Sequence, residues 1–307
     1  MKDIRIVVVG STNMDMVVHA HRLPLPGETV LGGDLIMAAG GKGANQAVAA
    51  ARLGARVTFI ARIGRDMFGK QALENFRREG LDPRYIIEDP DAPSGVALIT
   101  VGPAGQNIIT VAPGANNRLL PEDITRAAEV FAPARVVILQ LETPIETVLQ
   151  AARQAKATGA FVILNPAPAP TIPLPAELYQ LIDLITPNET EAHILTGESS
   201  PESAARVLLD RKVASVIITL GKDGALLANG SQPLERIPGF SVKAVDTVAA
   251  GDCFNGALAC ALAEGQSLPQ AIRFSHAAAA VSVTKPGAQP SLPTRNEVEA
   301  FLAEQNR

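Results

Sequence analysis

The 307-residue sequence predicts an α/β fold: a doubly wound, mostly parallel central sheet covered by helices, with a small β-sheet lid. Three observations predict it. Short β-branched runs alternate with longer helical patterns. Several of those runs are apolar at every position, as strands covered by helices on both faces must be. Two stretches break the alternation with prolines, glycines and a period of two. Hydrophobic residues make up 47% and charged residues 19%, the composition of a globular chain with a large core.

In chain order, strands are expected at 4–9, 57–60, 136–139, 161–164, 184–186 and 216–220. Helical periodicity covers 44–53, 68–79, 121–130, 145–158, 189–195, 201–209, 253–263, 268–283 and 295–304. The first irregular stretch, 14–39, contains M-V-V-H-A-H-R-L-P-L-P-G-E-T-V. The second, 94–111, contains V-A-L-I-T-V and N-I-I-T-V around the turn G-P-A-G. Both read as hairpins or short antiparallel strands. The simplest arrangement is one domain over 1–307, with a lid built from the two insertions. Ligands of such sheets bind at the carboxyl ends of strands, where a lid can close over them.

A net charge of −4 argues against a nucleic-acid or anionic-membrane surface. The opening M-K-D-I-R-I-V-V-V-G lacks a signal-peptide pattern, and no apolar run approaches the roughly 18 residues of a membrane span. Cys253 and Cys260, seven apart on one expected helix, match neither a disulfide nor a metal spacing. They read as buried thiols of a cytoplasmic protein.

Several segments carry candidate chemistry, each beside a plainer reading. Gly40-Gly41-Lys42-Gly43-Ala44-Asn45-Gln46 is neither a P-loop nor a dinucleotide fingerprint. It is a glycine turn at a helix N-terminus carrying Lys42 and Asn45, where free amides meet a ligand or simply close a tight turn. Asn13 and Asp15 stand two apart just past a strand. Extended chain would point both the same way, an amide and a carboxylate suited to vicinal hydroxyls, or they are turn residues ending the strand. Glu142 follows another strand. Thr186-Pro187-Asn188-Glu189-Thr190-Glu191 follows a strand and opens a helix, so Asn188 or Thr186 is an N-cap or a polar group near phosphate. Thr219-Leu220-Gly221-Lys222-Asp223-Gly224 reads as a flexible turn able to pass close to a nucleotide. His276 lies in a small-residue helix, where a histidine is ordinarily core or surface. In D-T-V-A-A-G-D-C-F-N-G-A, residues 246–257, Asp252 is either a helix N-cap or a base. As a base it would accept the proton of an attacking hydroxyl, while the amides of Ala249, Ala250, Gly251 and Asp252 form an anion hole for a transferred phosphoryl group.

These motifs, with L-P-x-P-G-E-T, V-A-P-G-A-N, Q-L-E-T-P, N-P-A-P-A and S-H-A-A-A-A-V-S-V-T-K-P-G-A-Q-P-S, stand in one order along essentially the whole chain. That ordered set resembles the phosphofructokinase-B (PfkB) family of sugar kinases, and G-G-K-G-A-N-Q with P-G-A-N resembles its ribokinase branch. The resemblance implies transfer of phosphate from ATP to the 5-hydroxyl of D-ribose. It implies that Asn13, Asp15, Gly41, Lys42, Asn45 and Glu142 hold the sugar and that Asp252 is the base. Asn188, Thr219, Gly221, Lys222, Gly224, Gly251 and His276 would contact ATP, with Glu191 near hydrated magnesium. An activating potassium would bind through Asp246, Val248, Ser282, Lys285, Gly287 and Ser291. Two positions depart from the family pattern, Cys253 in place of Thr or Ser and Lys285-Pro286 in place of a leading Arg. The resemblance also implies homodimers that pair their lids. Kinases for deoxyribose, another sugar or a nucleoside are the near alternatives. An intact Asp252 turn argues against a silent sugar-binding protein on the same fold, and the missing fingerprint argues against an NAD oxidoreductase.

Overall fold

The all-apolar runs become the middle of one sheet. The computed structural model describes residues 4–103, 105–230 and 232–305. Its strands are β1 (Arg5–Val9), β2 (Asn13–Ala20), β3 (Gly32–Gly40), β4 (Arg56–Gly64), β5 (Ile86–Asp89), β6 (Gly95–Val101), β7 (Asn107–Ala112), β8 (Val136–Leu139), β9 (Phe161–Leu164), β10 (Leu184–Ile185), β11 (Ser215–Thr219), β12 (Ala225–Asn229) and β13 (Glu235–Ile237). Its helices are α1 (Lys42–Arg52), α2 (Met67–Arg78), α3 (Pro121–Arg126), α4 (Ile145–Ala157), α5 (Ala176–Leu181), α6 (Glu189–Thr196), α7 (Pro201–Asp210), α8 (Ala250–Ala263), α9 (Leu268–Ser282) and α10 (Arg295–Gln305).

Nine strands run in the order β13-β12-β11-β10-β9-β8-β1-β4-β5. Neighbours from β11 to β5 are parallel, and β12 and β13 add on antiparallel. The period of two on β1 sorts its side chains between two cores. Ile6 and Val8 pack with residues of α1, α8 and α9; Val7 and Val9 pack with residues of α3, α4 and α7. Helices therefore cover both faces, which is why these strands are apolar throughout.

The two irregular stretches supply a second sheet of order β3-β2-β6-β7. β2 pairs antiparallel with β3 and parallel with β6, and β6 pairs antiparallel with β7. Ala104 of the G-P-A-G turn lies outside the described residues, as do Met1 to Asp3 of the opening stretch.

The structure departs from the sequence reading in short or peripheral pieces. β5, β12, β13 and α5 are absent from that reading; three are edge or near-edge strands, and α5 is six residues long. The more consequential difference is α8. It begins at Ala250 rather than at 253, because Ala249 takes a left-handed conformation (φ 59°) and acts as the N-cap. Asp252 is thus the third residue of the helix and not its cap.

Candidate active site

Strand ends and helix starts converge at the carboxyl edge of the sheet. β1 leads through Ser11 and Thr12 into β2, which carries Asn13 and Asp15, both buried. α1 starts beside them. Gly41, at φ 89°, is its N-cap, and a Cβ there would lie 2.7 Å from the Asn13 amide nitrogen. A Cβ on Gly40 would overlap the Asp15 carboxylate at 2.1 Å. The glycine pair is what lets the helix start approach these two side chains.

The N-terminus of α8 reaches the same place. Asn45 Nδ2 donates to Asp252 Oδ2 at 2.9 Å, and Gln46 Nε2 donates to Asp252 Oδ1 at 2.9 Å. Asn45 Oδ1 is buried without a partner among the described residues, an acceptor left for a ligand hydroxyl. Asn116 Nδ2 donates to Asn13 Oδ1 at 2.8 Å and fixes that amide. Glu142 accepts from the Ser11 hydroxyl and from the Lys42 backbone N–H at 3.1 Å, so its carboxylate holds the α1 start against β1.

The charges explain one another. Burial, with Glu142 and then Asp252 nearby, lifts the Asp15 carboxyl to about 7. Burial works to neutralise the Lys42 ammonium, but Asp252, Glu142, Glu191 and Asp15 outweigh it and raise it above lysine's ordinary value. Glu191 is raised by burial. One partly buried cation thus serves four carboxylates, and such a cluster suits a polar ligand that replaces lost water.

A cleft of about 190 Å³ lies over this cluster, lined among others by Lys42, Asn188, Glu191, Thr219, Gly251 and Asp252. Asn188 is the N-cap of α6: its Oδ1 accepts from the Glu191 N–H at 2.8 Å, and Glu191 Oε2 accepts from the Asn188 N–H at 2.9 Å. Thr186 is not the cap; its hydroxyl donates to Asn255 Oδ1 at 2.7 Å. In the α8 first turn the Ala250 N–H donates to the Thr247 carbonyl at 3.3 Å. The Gly251 and Asp252 amides stand at positions where a helix supplies no carbonyl of its own. They, with Ala249, are the donors left for an anion.

Other expected residues lie outside this cleft. Gly221 and Lys222 sit exposed on a 3-10 turn, and Gly224 (φ 95°) packs against the Ile237 carbonyl. His276 is buried on α9, its ring 5.2 Å from that of Phe254, with Nε2 unpartnered among the described residues. Burial pushes it down to about 4, so it is neutral at physiological pH. A larger cavity, about 680 Å³, lies between the root of the second sheet and α2 and contains none of Asp15, Lys42, Glu142 or Asp252.

Next to the cleft, Asp246 ties two loops together. Its Oδ1 accepts from the Val248 N–H at 3.0 Å and its Oδ2 from the Gly287 N–H at 2.8 Å. Ser282 and Ser291 donate to nearby carbonyls, keeping their oxygens available as acceptors. Lys285 pairs with Glu297. Cys253 is buried, and burial pushes its thiol up to about 12; it is not a nucleophile. Among the described residues no group of three or more His, Cys, Asp or Glu is placed to hold a metal ion.

A model of the pfkB family of carbohydrate kinases matches residues 3–295. The chain belongs to that family. A ribokinase of Haemophilus influenzae is 47% identical over 302 residues, covering 97% of this chain and 98% of the relative. A deoxyribokinase of Salmonella typhi is 38% identical with 97% and 98% coverage. The solved structure of an Arabidopsis thaliana ribokinase complexed with ribose and ATP superposes with a TM-score of 0.90 at 35% identity, covering 98% and 99% of the two chains.

Within this carbohydrate kinase, the sequence reading missed the amides behind Asp252: Gln46, Gln140 and Asn165, all buried. Each stands inside or beside a motif that the reading quoted, G-G-K-G-A-N-Q, Q-L-E-T-P and N-P-A-P-A. The available signal was an amide side chain directly after each of two strands, Gln140 after β8 and Asn165 after β9, and a third, Gln46, in the first turns of α1.

Proposed function

We propose that this kinase transfers phosphate from ATP to the 5-hydroxyl of D-ribose. The observation that carries the reading is Asp252: a buried carboxylate in the first turn of α8, next to free amides, opposite Asn13, Asp15, Lys42 and Asn45. Asp252 accepts the hydroxyl proton as oxygen attacks the phosphoryl group, and the Ala249, Gly251 and Asp252 amides receive the charge that develops. Asn13, Asp15, Gly41, Lys42, Asn45 and Glu142 hold or frame the sugar. ATP lies along Asn188 and Thr219, with Gly221, Lys222, Gly224 and His276 toward its base. Ribose rather than another sugar is supported by the 47% identity to a ribokinase; the deoxyribokinase relative at 38% makes deoxyribose the second acceptor to test.

Magnesium fits as an ion carried by the nucleotide phosphates and water, because Glu191 is the acid of the cleft not needed by the sugar. When bound it neutralises phosphate charge. Potassium fits the oxygen-rich loops around Asp246, with Val248, Ser282, Lys285, Gly287 and Ser291 supplying hydroxyl or carbonyl oxygens. The β2, β3, β6 and β7 sheet is the lid over the sugar. Its exposed Leu35, Ile36, Leu98 and Ile109 support pairing with a second copy. Free, buried Cys253 and Cys260 support a reducing, cytoplasmic setting, and among the described residues no helix is long and apolar enough to cross a membrane.

ADP release with ATP, magnesium and D-ribose, in potassium and then sodium, tests the reading. Ribose-dependent turnover that rises with potassium is expected. Preference for deoxyribose, fructose or adenosine by kcat/KM overturns the sugar, and indifference to potassium overturns the cation loops.

A further inference from the structure

The hydrogen bonds behind Asp252 form a chain with a direction. Gln46 is fully buried and does not line the cleft. Its Nε2 donates to Asp252 Oδ1 at 2.9 Å and to Asn165 Oδ1 at 3.0 Å, while its Oε1 accepts from Gln140 Nε2 at 2.7 Å. Asn165 Nδ2 in turn donates to the Thr186 carbonyl at 3.1 Å. An ionised carboxylate and a backbone carbonyl only accept, so both ends of the chain dictate which way each amide faces. Asp252 therefore receives a donor on each oxygen, Asn45 on one and Gln46 on the other.

The origin of these amides is as informative as their bonds. Gln140 follows β8, Asn165 follows β9 and Thr186 follows β10. The ends of two neighbouring strands of the central sheet thus meet one glutamine directly, and a third reaches it through Asn165; that glutamine ends on the proposed base. A carboxylate on a helix start could otherwise rotate about its side-chain bonds. Fixing it to the sheet presents a chosen lone pair to the cleft before any sugar arrives.

Resting on the phosphotransfer reading above, we infer that Gln46, held by Gln140 and Asn165, is a positioning residue that aims Asp252 for proton acceptance. Asn45 has a different part. Its Oδ1 has no partner among the described residues and is the acceptor proposed above for the sugar, so its loss would mix sugar binding with base positioning. Gln46 separates them. The other titratable groups around Asp252 are Lys42 on α1, Asp15 on β2, Glu142 after β8 and Glu191 on α6. None of these bonds to Gln46, so its substitution leaves them in place.

The test compares wild type, Gln46→Met and Gln140→Met in the pH profile of kcat, with sugar KM and Tm measured alongside. Methionine keeps the volume and removes the amide. Gln46→Met should lower kcat about 10- to 100-fold, the loss expected for one hydrogen bond to a charged group. It should move the acid limb of kcat up relative to wild type, since a donor to the carboxylate is gone. Sugar KM should stay within about twofold, because uniform binding is untouched. Gln140→Met removes only the support behind Gln46 and should shift kcat and the acid limb the same way by less; it serves if Gln46→Met does not fold. A lowered Tm with the acid limb and kcat of the wild type, in either folded variant, overturns the inference and leaves a packing role. Should the wild type prefer another sugar, the profile is taken on that sugar. Loss of the ribose reading and loss of the Gln46 role are then separate results.

Discussion

The central sheet and the small sheet are made from the same residue types and are buried to opposite extents. β8, V-V-I-L, is buried at all four positions, whereas β7, N-I-I-T-V-A, is exposed at all six. β-Branched content makes a strand in either place, but only covering helices make it a core strand. The central sheet has them on both faces. The small sheet leaves Leu35, Ile36, Leu98 and Ile109 in solvent, so its apolar surface is kept for something other than this chain's own core. The proposed chemistry is divided along the same line: Asp252 belongs to the helices of the central sheet and Asp15 to the small one.

The largest effect expected from breaking this division is on turnover. Asp252→Asn should lower kcat by roughly 100-fold or more, as for a lost positioned base. Calorimetry should still find ribose bound with near wild-type affinity, because the small sheet is untouched. Near-normal turnover would remove Asp252 from the mechanism.

Next comes Asp15, where function and stability oppose each other. Its carboxyl is lifted from 3.8 to about 7 by burial and by Glu142 and Asp252. A carboxyl raised on folding contributes stability in full below its unfolded value, and that stability is lost as pH rises through its folded value. The interval corresponds to on the order of 4 kcal/mol. Asp15→Asn should therefore gain stability over wild type at pH 8 that it lacks at pH 4, read from urea midpoints at both. It should lose ribose binding at either pH, while wild-type affinity weakens below about 7 as the acceptor protonates. Equal midpoint differences at the two pH values would show that Asp15 is ionised without cost.

Smaller effects sharpen the contrast between the sheets themselves. Ile138→Ala, fully buried on β8, should cost about 2–5 kcal/mol in urea unfolding through lost burial and a cavity. Ile109→Ser on β7 should change that stability by less than about 0.5 kcal/mol while weakening self-association in sedimentation. A monomer in both wild type and variant would leave the exposed face of the small sheet to another partner.

Much of the fold was legible because burial on two faces demands continuous apolar runs, and runs of that kind are local. The strands from 4–9 to 216–220 and nine helices were read from periodicity alone, with ends displaced by a few residues. What escaped was short and edge-bound: β12 is held by pairing with β11 and β13 by pairing with β12, and pairing partners are not encoded in a five-residue window. The departures in the candidate site have the same cause. Asn188 was legible as a possible cap because its partner Glu191 is three residues away. Asp252 was ambiguous, since the same residue type caps helices and accepts protons, and the left-handed Ala249 moved the cap upstream.

The sequence by itself determined the alternation of strand and helix, the two stretches that leave it, and the ordered motifs that mark a carbohydrate kinase. Those are properties of neighbours along the chain. Only the tertiary structure decided that Asp252 turns inward to Asn45 and Gln46, that Glu142 braces a helix start, and that His276 is buried outside the described cleft. Gln46 and Asp252 are 206 positions apart; a hydrogen bond between them has no local signature and exists only because three strand ends and two helix starts converge at one edge of the sheet.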